Sequence, residues 1–286
     1  MADYRNLMPA HYKLLAKLGR TVEEGFDLKP EERRSLERDY RFGAPGVSDD
    51  ASMVDFFESP RPMIFPHVIR LLNCGFLTLK YAGAFETPGM IHIMDVGAGR
   101  AELMNIIRAQ QVAKGCRLQY VGVDIDIRKA ELFHHLYPKT SDKYIIQDFR
   151  EGLPAKNNTF EAVISTETLE HIDKLAGISL LEEINRILVP GGIFVLTTPD
   201  AINHRNISIY HAYEWKSTDL ENKLIETGFK TLEKFWYMVP WKDLPIKISK
   251  KDIDKRINSE LVRALLSPLS NSGTGGLVSF VCQKIL

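Results

Sequence analysis

Three acidic residues stand where short apolar runs end, and each has neighbours suited to a nucleoside. Ile91-His92-Ile93-Met94-Asp95-Val96 runs into Gly97-Ala98-Gly99-Arg100-Ala101 and then into a helical pattern. Gly97 and Gly99 permit positive φ and a close backbone approach, and the start of a helix offers amide donors to a carboxylate or other polar ligand group. The next apolar run ends at Asp124. Its carboxylate can accept from both hydroxyls of a ribose, and Ile125 beside it can lie against a purine. A third run ends at Asp148-Phe149, an acceptor for an exocyclic amine next to a ring able to stack on a base. A glycine turn alone says little; the ordered set carries the weight.

A second group lies further along. Ser165-Thr166-Glu167-Thr168-Leu169-Glu170-His171 follows a fourth apolar run; Thr197-Thr198-Pro199-Asp200 and then His211-Ala212-Tyr213-Glu214-Trp215 follow a fifth. On a helical turn, Glu167, Glu170 and His171 at i, i+3 and i+4 share one face. Both segments leave the carboxyl ends of neighbouring strands, where open α/β folds bind ligands, so they are expected to meet. Glu167, Glu170, His171 and His211 together suit a hard to borderline divalent ion, Mg²⁺ or Mn²⁺, which would lower the pKa of an acceptor hydroxyl. The alternative is a hydrogen-bonding cluster without metal, in which Glu170 and His171 cap the turn and His171 or His211 serves as general base.

The elements that must position these residues are legible as a period. From Ile91 onward short apolar strands alternate with amphipathic helices, the signature of a parallel sheet covered on both faces. The pattern predicts strands at Ile91–Val96, Leu118–Val123, Lys143–Ile146, Ala162–Ser165, Ile193–Thr197, Phe229–Met238 and Leu277–Lys284, and a helix near Ser217–Thr227. Leu180, Leu181, Ile184, Ile187 and Leu188 make one helix stripe, which Pro190-Gly191-Gly192 is expected to stop. Before residue 90 the signals are mostly helical, with Leu14, Leu15 and Leu18, then 30–40, then Val68 to Leu79, and a loop at 41–50. The expected organisation is therefore a helical extension over 1–88 and a core domain over 89–286, with an insertion at about 241–276 carrying a helix around 252–266.

Composition narrows the partners. Lys plus Arg and Asp plus Glu number 37 each in 286 residues, so no global positive field draws in duplex DNA or a membrane surface. No segment reads as a signal peptide or a membrane span. The three scattered cysteines suggest neither a disulfide framework nor a zinc ribbon, and a reducing, cytoplasmic compartment fits.

With those elements in place, Asp95-x-Gly97-x-Gly99, Asp124, Asp148 and Leu188-Val189-Pro190-Gly191-Gly192 resemble the class I S-adenosylmethionine-dependent methyltransferases, over roughly Ile91 to Met238 plus the last strand. The resemblance implies a doubly wound, mostly parallel seven-stranded α/β sheet of Rossmann-like type and S-adenosyl-L-methionine as cofactor. It assigns cofactor contacts to Asp95, Gly97, Ala98, Gly99, Asp124, Ile125, Asp148, Phe149 and Thr166. Gly97 and Gly99 would pass beneath the methionine part, Asp124 would hold the ribose, and Asp148 with Phe149 the adenine. Ala101 departs from the family's frequent third glycine. A nicotinamide dehydrogenase is the rival at the same turn, but Glu102 falls where its fingerprint wants a small residue.

Glu167-x-x-Glu170-His171, Thr197-Thr198-Pro199 and His211-x-x-Glu214-Trp215 are further similar to the 2′-O-methyltransferases of small-RNA 3′ ends, where the matching residues hold a metal ion. Ubiquinone-type O-methyltransferases share a similar run. The expected acceptor is a hydroxyl on a small or conjugated molecule, with an RNA end as the alternative. His171, His211 and Glu167 are the catalytic candidates. Segments outside the sheet in this family settle over the cofactor and acceptor side, or form a dimer contact. A domain that only binds the cofactor, as scaffold or regulator, is the reading from another class.

Overall fold

A computed structural model describes residues 64–99, 101–108, 110, 112–138, 140–203, 210–245, 263–270 and 272–285. The helices expected before residue 64 lie outside the described residues. So does most of the insertion helix, of which 263–266 are described and helical.

Seven strands, β1 (Gly89–Val96), β2 (Cys116–Asp124), β3 (Lys143–Ile146), β4 (Phe160–Thr166), β5 (Leu188–Pro199), β6 (Phe229–Tyr237) and β7 (Leu277–Lys284), form one sheet in the order β3-β2-β1-β4-β5-β7-β6. The first five pair in parallel, while β7 runs antiparallel between β5 and β6. Helices α1 (Ile64–Tyr81), α2 (Glu102–Arg108) and α3 (Ile127–Leu136) share one core with one face of the sheet. Helices α4 (Lys174–Ile187) and α5 (Ser217–Glu226) share a second core with the other face. The layers are those expected for a doubly wound fold.

Local chemistry explains the elements. The stripe Leu180, Leu181, Ile184 and Ile187 is buried along α4, and the Asp173 carboxylate caps that helix by accepting from the amides of Leu175 and Ala176 at 3.0 Å. Asp126 caps α3 in the same way through the Arg128 amide. The central strands are buried on both faces, as crossover helices require.

One boundary differs from expectation. Leu188 is not the last residue of the helical stripe but the first of β5, which includes Pro190-Gly191-Gly192. Leu188 pairs with Phe160, the register then shifts, and regular pairing resumes at Ile193, so the proline and glycines form an irregular strand entry rather than a loop. Helix α1, read from sequence as part of the extension, packs on α2, β4 and β5. Among the described residues no helix is long and apolar enough to cross a membrane, and Cys74, Cys116 and Cys282 are unpaired.

Candidate active site

β1 pairs with β2 on one side and β4 on the other, so the chain reverses its winding direction there and leaves a crevice beyond the strand ends. A cleft of about 900 Å³ occupies that place. Following the strand order, Gly97, Asp124, Ile125, Asp126, Lys129, Asp148, Phe149 and Arg150 line the end at β1, β2 and β3, and Glu167, Thr168, His171, Ile172, Asp173, Tyr210 and Ala212 the end at β4 and β5, the two meeting where Gly97 packs against Thr168. Five of the nine residues predicted to bind cofactor (Gly97, Asp124, Ile125, Asp148 and Phe149) are in this lining, while Asp95, Ala98, Gly99 and Thr166 are not.

The glycine turn interlocks β1 with the exit of β4. Gly97 has φ +78°, and a Cβ there would fall 2.0 Å from Thr168 Oγ1, which donates to the Val96 carbonyl at 3.3 Å. Amides of the turn itself are used internally. Gly97 and Ala98 donate to the Val123 carbonyl, Gly99 to Asp124 Oδ2 and Ala101 to the Ala98 carbonyl. The turn therefore offers close-fitting backbone surface more than free donors. Ala101 adopts φ +59°, a left-handed conformation better suited to glycine.

The acids at the strand ends are engaged with their own neighbours. Asp124 also accepts from the Asp126 amide and from Lys129 Nζ at 3.3 Å. Asp148 accepts from the Arg150 amide and guanidinium, which hold its carboxyl below the usual range. Arg128 likewise holds Asp126 down to about 2. Beneath the turn, Asp95 is 1 % exposed; Oδ2 accepts from the Tyr120 hydroxyl at 2.5 Å, and Oδ1 has no partner among the described residues. Burial pushes its carboxyl up to about 7.

The other end is assembled from distant segments. Glu170 is buried; Thr198 Oγ1 donates to its Oε2 at 3.0 Å, and its carbonyl accepts from the amides of Ala212 and Tyr213. Burial, with the Glu167 carboxylate adding to it, pushes Glu170 up to about 8. His171 Nδ1 meets the Tyr210 carbonyl at 3.0 Å and His211 Nδ1 meets Glu214 Oε1 at 2.5 Å. The two rings stand edge to face with centroids 5.1 Å apart. Ligand atoms of Glu170, His171 and His211 all lie within 4.8 Å of one another.

Glu167 is a correction. It does not share a helical face with Glu170 and His171: its φ is +51°, and only Leu169–His171 form a short 3₁₀ turn. Its amide is captured by the Thr197 carbonyl at 2.9 Å, which turns the chain as it leaves β4. Glu167 lines the cleft but stands outside the three-residue cluster, with Oε1 accepting from Thr197 Oγ1. On β6, Trp236 and Tyr237 are structural: Tyr237 is in the core and Trp236 donates to Asp200. Sequence reasoning passed over Lys129, Arg150 and Asp173 in the lining and Arg70 behind it; for Arg70 the available signal was a lone arginine inside an apolar helix face.

The cleft suits an adenosyl sulfonium. Asp124, Asp126, Asp148, Glu167 and Asp173 against Lys129 and Arg150 make it acidic overall, which favours a ligand bearing a sulfonium and an ammonium, and Asp95 Oδ1 is a buried acceptor still wanting a donor. No curated protein matches the chain in sequence. In structure it is similar to a SAM-dependent methyltransferase from Archaeoglobus fulgidus (TM-score 0.52, 15 % identity, 81 % of this chain and 98 % of that one). It is also similar to an S-adenosylmethionine-dependent methyltransferase from Mesorhizobium loti (TM-score 0.51, 16 % identity, 74 % and 98 %). These likenesses concern the fold. The family model described as a methyltransferase domain matches residues 70–234, more than half of the sequence, and the chain belongs to that family.

Proposed function

We propose that the chain methylates a hydroxyl oxygen on a small or conjugated acceptor, using the Glu170, His171 and His211 cluster to handle the proton. The observation that carries this reading is the orientation of the two imidazoles. Carbonyl and carboxylate oxygens only accept, so each Nδ1 carries the hydrogen, and in the neutral ring the lone pair is left on Nε2. His171 lines the cleft, and a basic nitrogen there is what a hydroxyl acceptor needs, because its proton must leave as the oxygen is methylated. The sulfonium supplies an already activated methyl group. The protein's share is to hold the acceptor oxygen about 3 Å from that methyl and to keep water out.

A divalent cation is favoured by the same hydrogen bonds. Imidazoles that bind metals commonly donate their second nitrogen to a carboxylate or a backbone carbonyl, as His211 does to Glu214 and His171 to Tyr210. Glu170, His171 and His211 would hold Mg²⁺ or Mn²⁺, which supplies Lewis acidity toward the acceptor hydroxyl. Thr198 orients the Glu170 carboxylate for either role.

Incubating the protein with S-adenosylmethionine carrying a labelled methyl group and a cell extract tests the reading. The expected product carries the label in an ether that survives base, and labelling falls with chelator and returns with Mn²⁺ or Mg²⁺. Label in a base-labile ester or on nitrogen overturns the hydroxyl reading. Full activity in excess chelator, with no metal by elemental analysis, leaves His171 or His211 as the unaided base. Cofactor binding without any labelled product makes the domain a scaffold or sensor.

A further inference from the structure

Helix α1 stands outside the strand and helix alternation, yet one of its residues reaches the acceptor end. Arg70 is 5 % exposed, on a helix whose neighbouring positions Ile69 and Leu72 belong to the apolar core. A guanidinium is costly in such a place unless it is engaged. It is engaged with the site. Arg70 Nη1 donates to Thr197 Oγ1 at 2.9 Å and lies 3.5 Å from Glu167 Oε1. Thr197 Oγ1, having accepted from Arg70, donates its own hydrogen to Glu167 Oε1 at 3.1 Å, a relay that a hydroxyl can make and a methyl cannot.

These contacts fall on one carboxylate oxygen. No hydrogen bond among the described residues uses Glu167 Oε2, although Glu167 lines the cleft. The backbone supports the same orientation. Glu167 holds φ +51°, which L residues seldom adopt and which persists where surroundings over-determine it. Here the Thr197 carbonyl holds the amide while the Thr197 hydroxyl and Arg70 hold the side chain.

We propose that Arg70 is a positioning residue for methyl transfer: with Thr197 it fixes Glu167 by Oε1, so that Oε2 accepts a hydrogen bond from the acceptor molecule beside the cluster that takes its proton. The inference rests on the hydroxyl-transfer reading above. It makes α1 part of the acceptor site, and it separates acceptor binding, which passes through Glu167, from cofactor binding, which uses the opposite end of the cleft.

The test uses the full chain, labelled S-adenosylmethionine and a dilution series of cell extract, which yields an apparent KM and a maximal rate in extract units. Arg70→Ala, Thr197→Val and Glu167→Gln should each raise the apparent KM about tenfold or more, as for loss of a charge-assisted hydrogen bond. The dissociation constant of S-adenosylhomocysteine, measured by calorimetry, should stay within about twofold, less than the loss of one typical hydrogen bond. Guanidinium chloride at about 20 mM, far below denaturing concentrations, should restore much of the Arg70→Ala defect and do nothing for Glu167→Gln. Adding Arg70→Ala to Glu167→Gln should change little further. Thr197→Val carries the test if Arg70→Ala fails to fold. Wild-type KM in Thr197→Val, or S-adenosylhomocysteine affinity falling in step with the rate, overturns the proposal while leaving the hydroxyl reading intact. A wild-type protein that binds S-adenosylhomocysteine but labels nothing overturns both.

Discussion

The two ends of the cleft are built from similar residue types by opposite means. At the adenosine end, Asp126 and Asp148 are satisfied by Arg128 and Arg150 two positions further along the chain, and Asp124 by the Asp126 amide and Lys129 together with the more distant Gly99 amide. At the acceptor end only His211 with Glu214 is local among the bonds described above; the others are far apart in sequence, 127 positions for Arg70 with Thr197, 39 for His171 with Tyr210, 30 for Thr197 with Glu167 and 28 for Thr198 with Glu170. Exposure differs as well. Arg128 and Arg150 hold their solvent-facing partners Asp126 and Asp148 low, whereas burial lifts Glu170. A local, wet arrangement tolerates editing one residue at a time. An arrangement spanning four segments ties chemistry to the integrity of the sheet.

The sharpest test of this contrast removes members of the acceptor end and reads both ends. Glu170→Ala and His211→Ala should each lower methyl transfer by about 10²–10⁴-fold, the range for losing a positioned proton-transfer group. S-adenosylhomocysteine binding should hardly move, because Asp124, Asp148 and Phe149 stand at the other end. Single-turnover rates beside calorimetry separate the two effects. Equal losses in both would mean that the ends are one cooperative unit.

Burial, not position along the cleft, should set the direction of each acid's response to pH. Asp95 tests this, since it sits beneath the adenosine end yet is buried like Glu170. Its carboxyl titrates near 7 in the folded chain against an ordinary value of 3.8. Between those values the folded state holds a proton that the unfolded state has lost, so stability falls as pH rises through that window and levels off above about 7. Asp95→Asn should remove this component, gaining on the wild type by a few kcal/mol from about pH 4 to pH 7. Urea unfolding at stepped pH measures it, and parallel curves for the two proteins would refute the assignment of the shift to burial.

Legibility in the sequence follows the same division. Strands β3 and β7 coincide residue for residue with the apolar runs that predict them, a parallel sheet covered on both faces follows from the alternation of strands and helices, and its mostly parallel seven-stranded form is what the family resemblance implies. The adenosine-end acids were visible because each closes a strand. What escaped depends on contacts that no spacing encodes. Glu167 at i, i+3 and i+4 from its neighbours reads as helical, but capture of its amide by Thr197 turns it left-handed. Pro190-Gly191-Gly192 reads as a stop, but the pairing of Leu188 with Phe160 draws it into β5. Arg70 reads as an interruption of an apolar run until Thr197 and Glu167 are brought beside it.

A smaller effect is expected for Asp124→Ala. Its Oδ2 accepts from the Gly99 amide and its Oδ1 from the Asp126 amide, so the carboxylate is oriented before any ligand arrives. Losing hydrogen bonds to a charged acceptor should weaken S-adenosylhomocysteine by roughly 1–3 kcal/mol. Asp124→Asn keeps the shape without the charge and should fall between the wild type and alanine. Unchanged calorimetric affinity in both variants would remove Asp124 from the cofactor site.

The smallest effect should come from Lys129, and it bears on how soft the adenosine end is. Lys129 Nζ stands 3.3 Å from Asp124 Oδ2, the oxygen that also takes the Gly99 amide, and its side chain is 41 % exposed. A ribose held by Asp124 must share or displace that ammonium. Exposed ion pairs contribute little, about 0–1 kcal/mol, so Lys129→Ala should tighten S-adenosylhomocysteine by no more than about fivefold. Salt distinguishes displacement from indifference. Screening weakens the resident ion pair in the wild type, so raising ionic strength should bring the wild-type affinity toward that of Lys129→Ala, whose own affinity should change less. Weaker binding in Lys129→Ala would mean that the ammonium contacts the ligand directly, and the adenosine end would then depend on a cation as the acceptor end depends on Arg70.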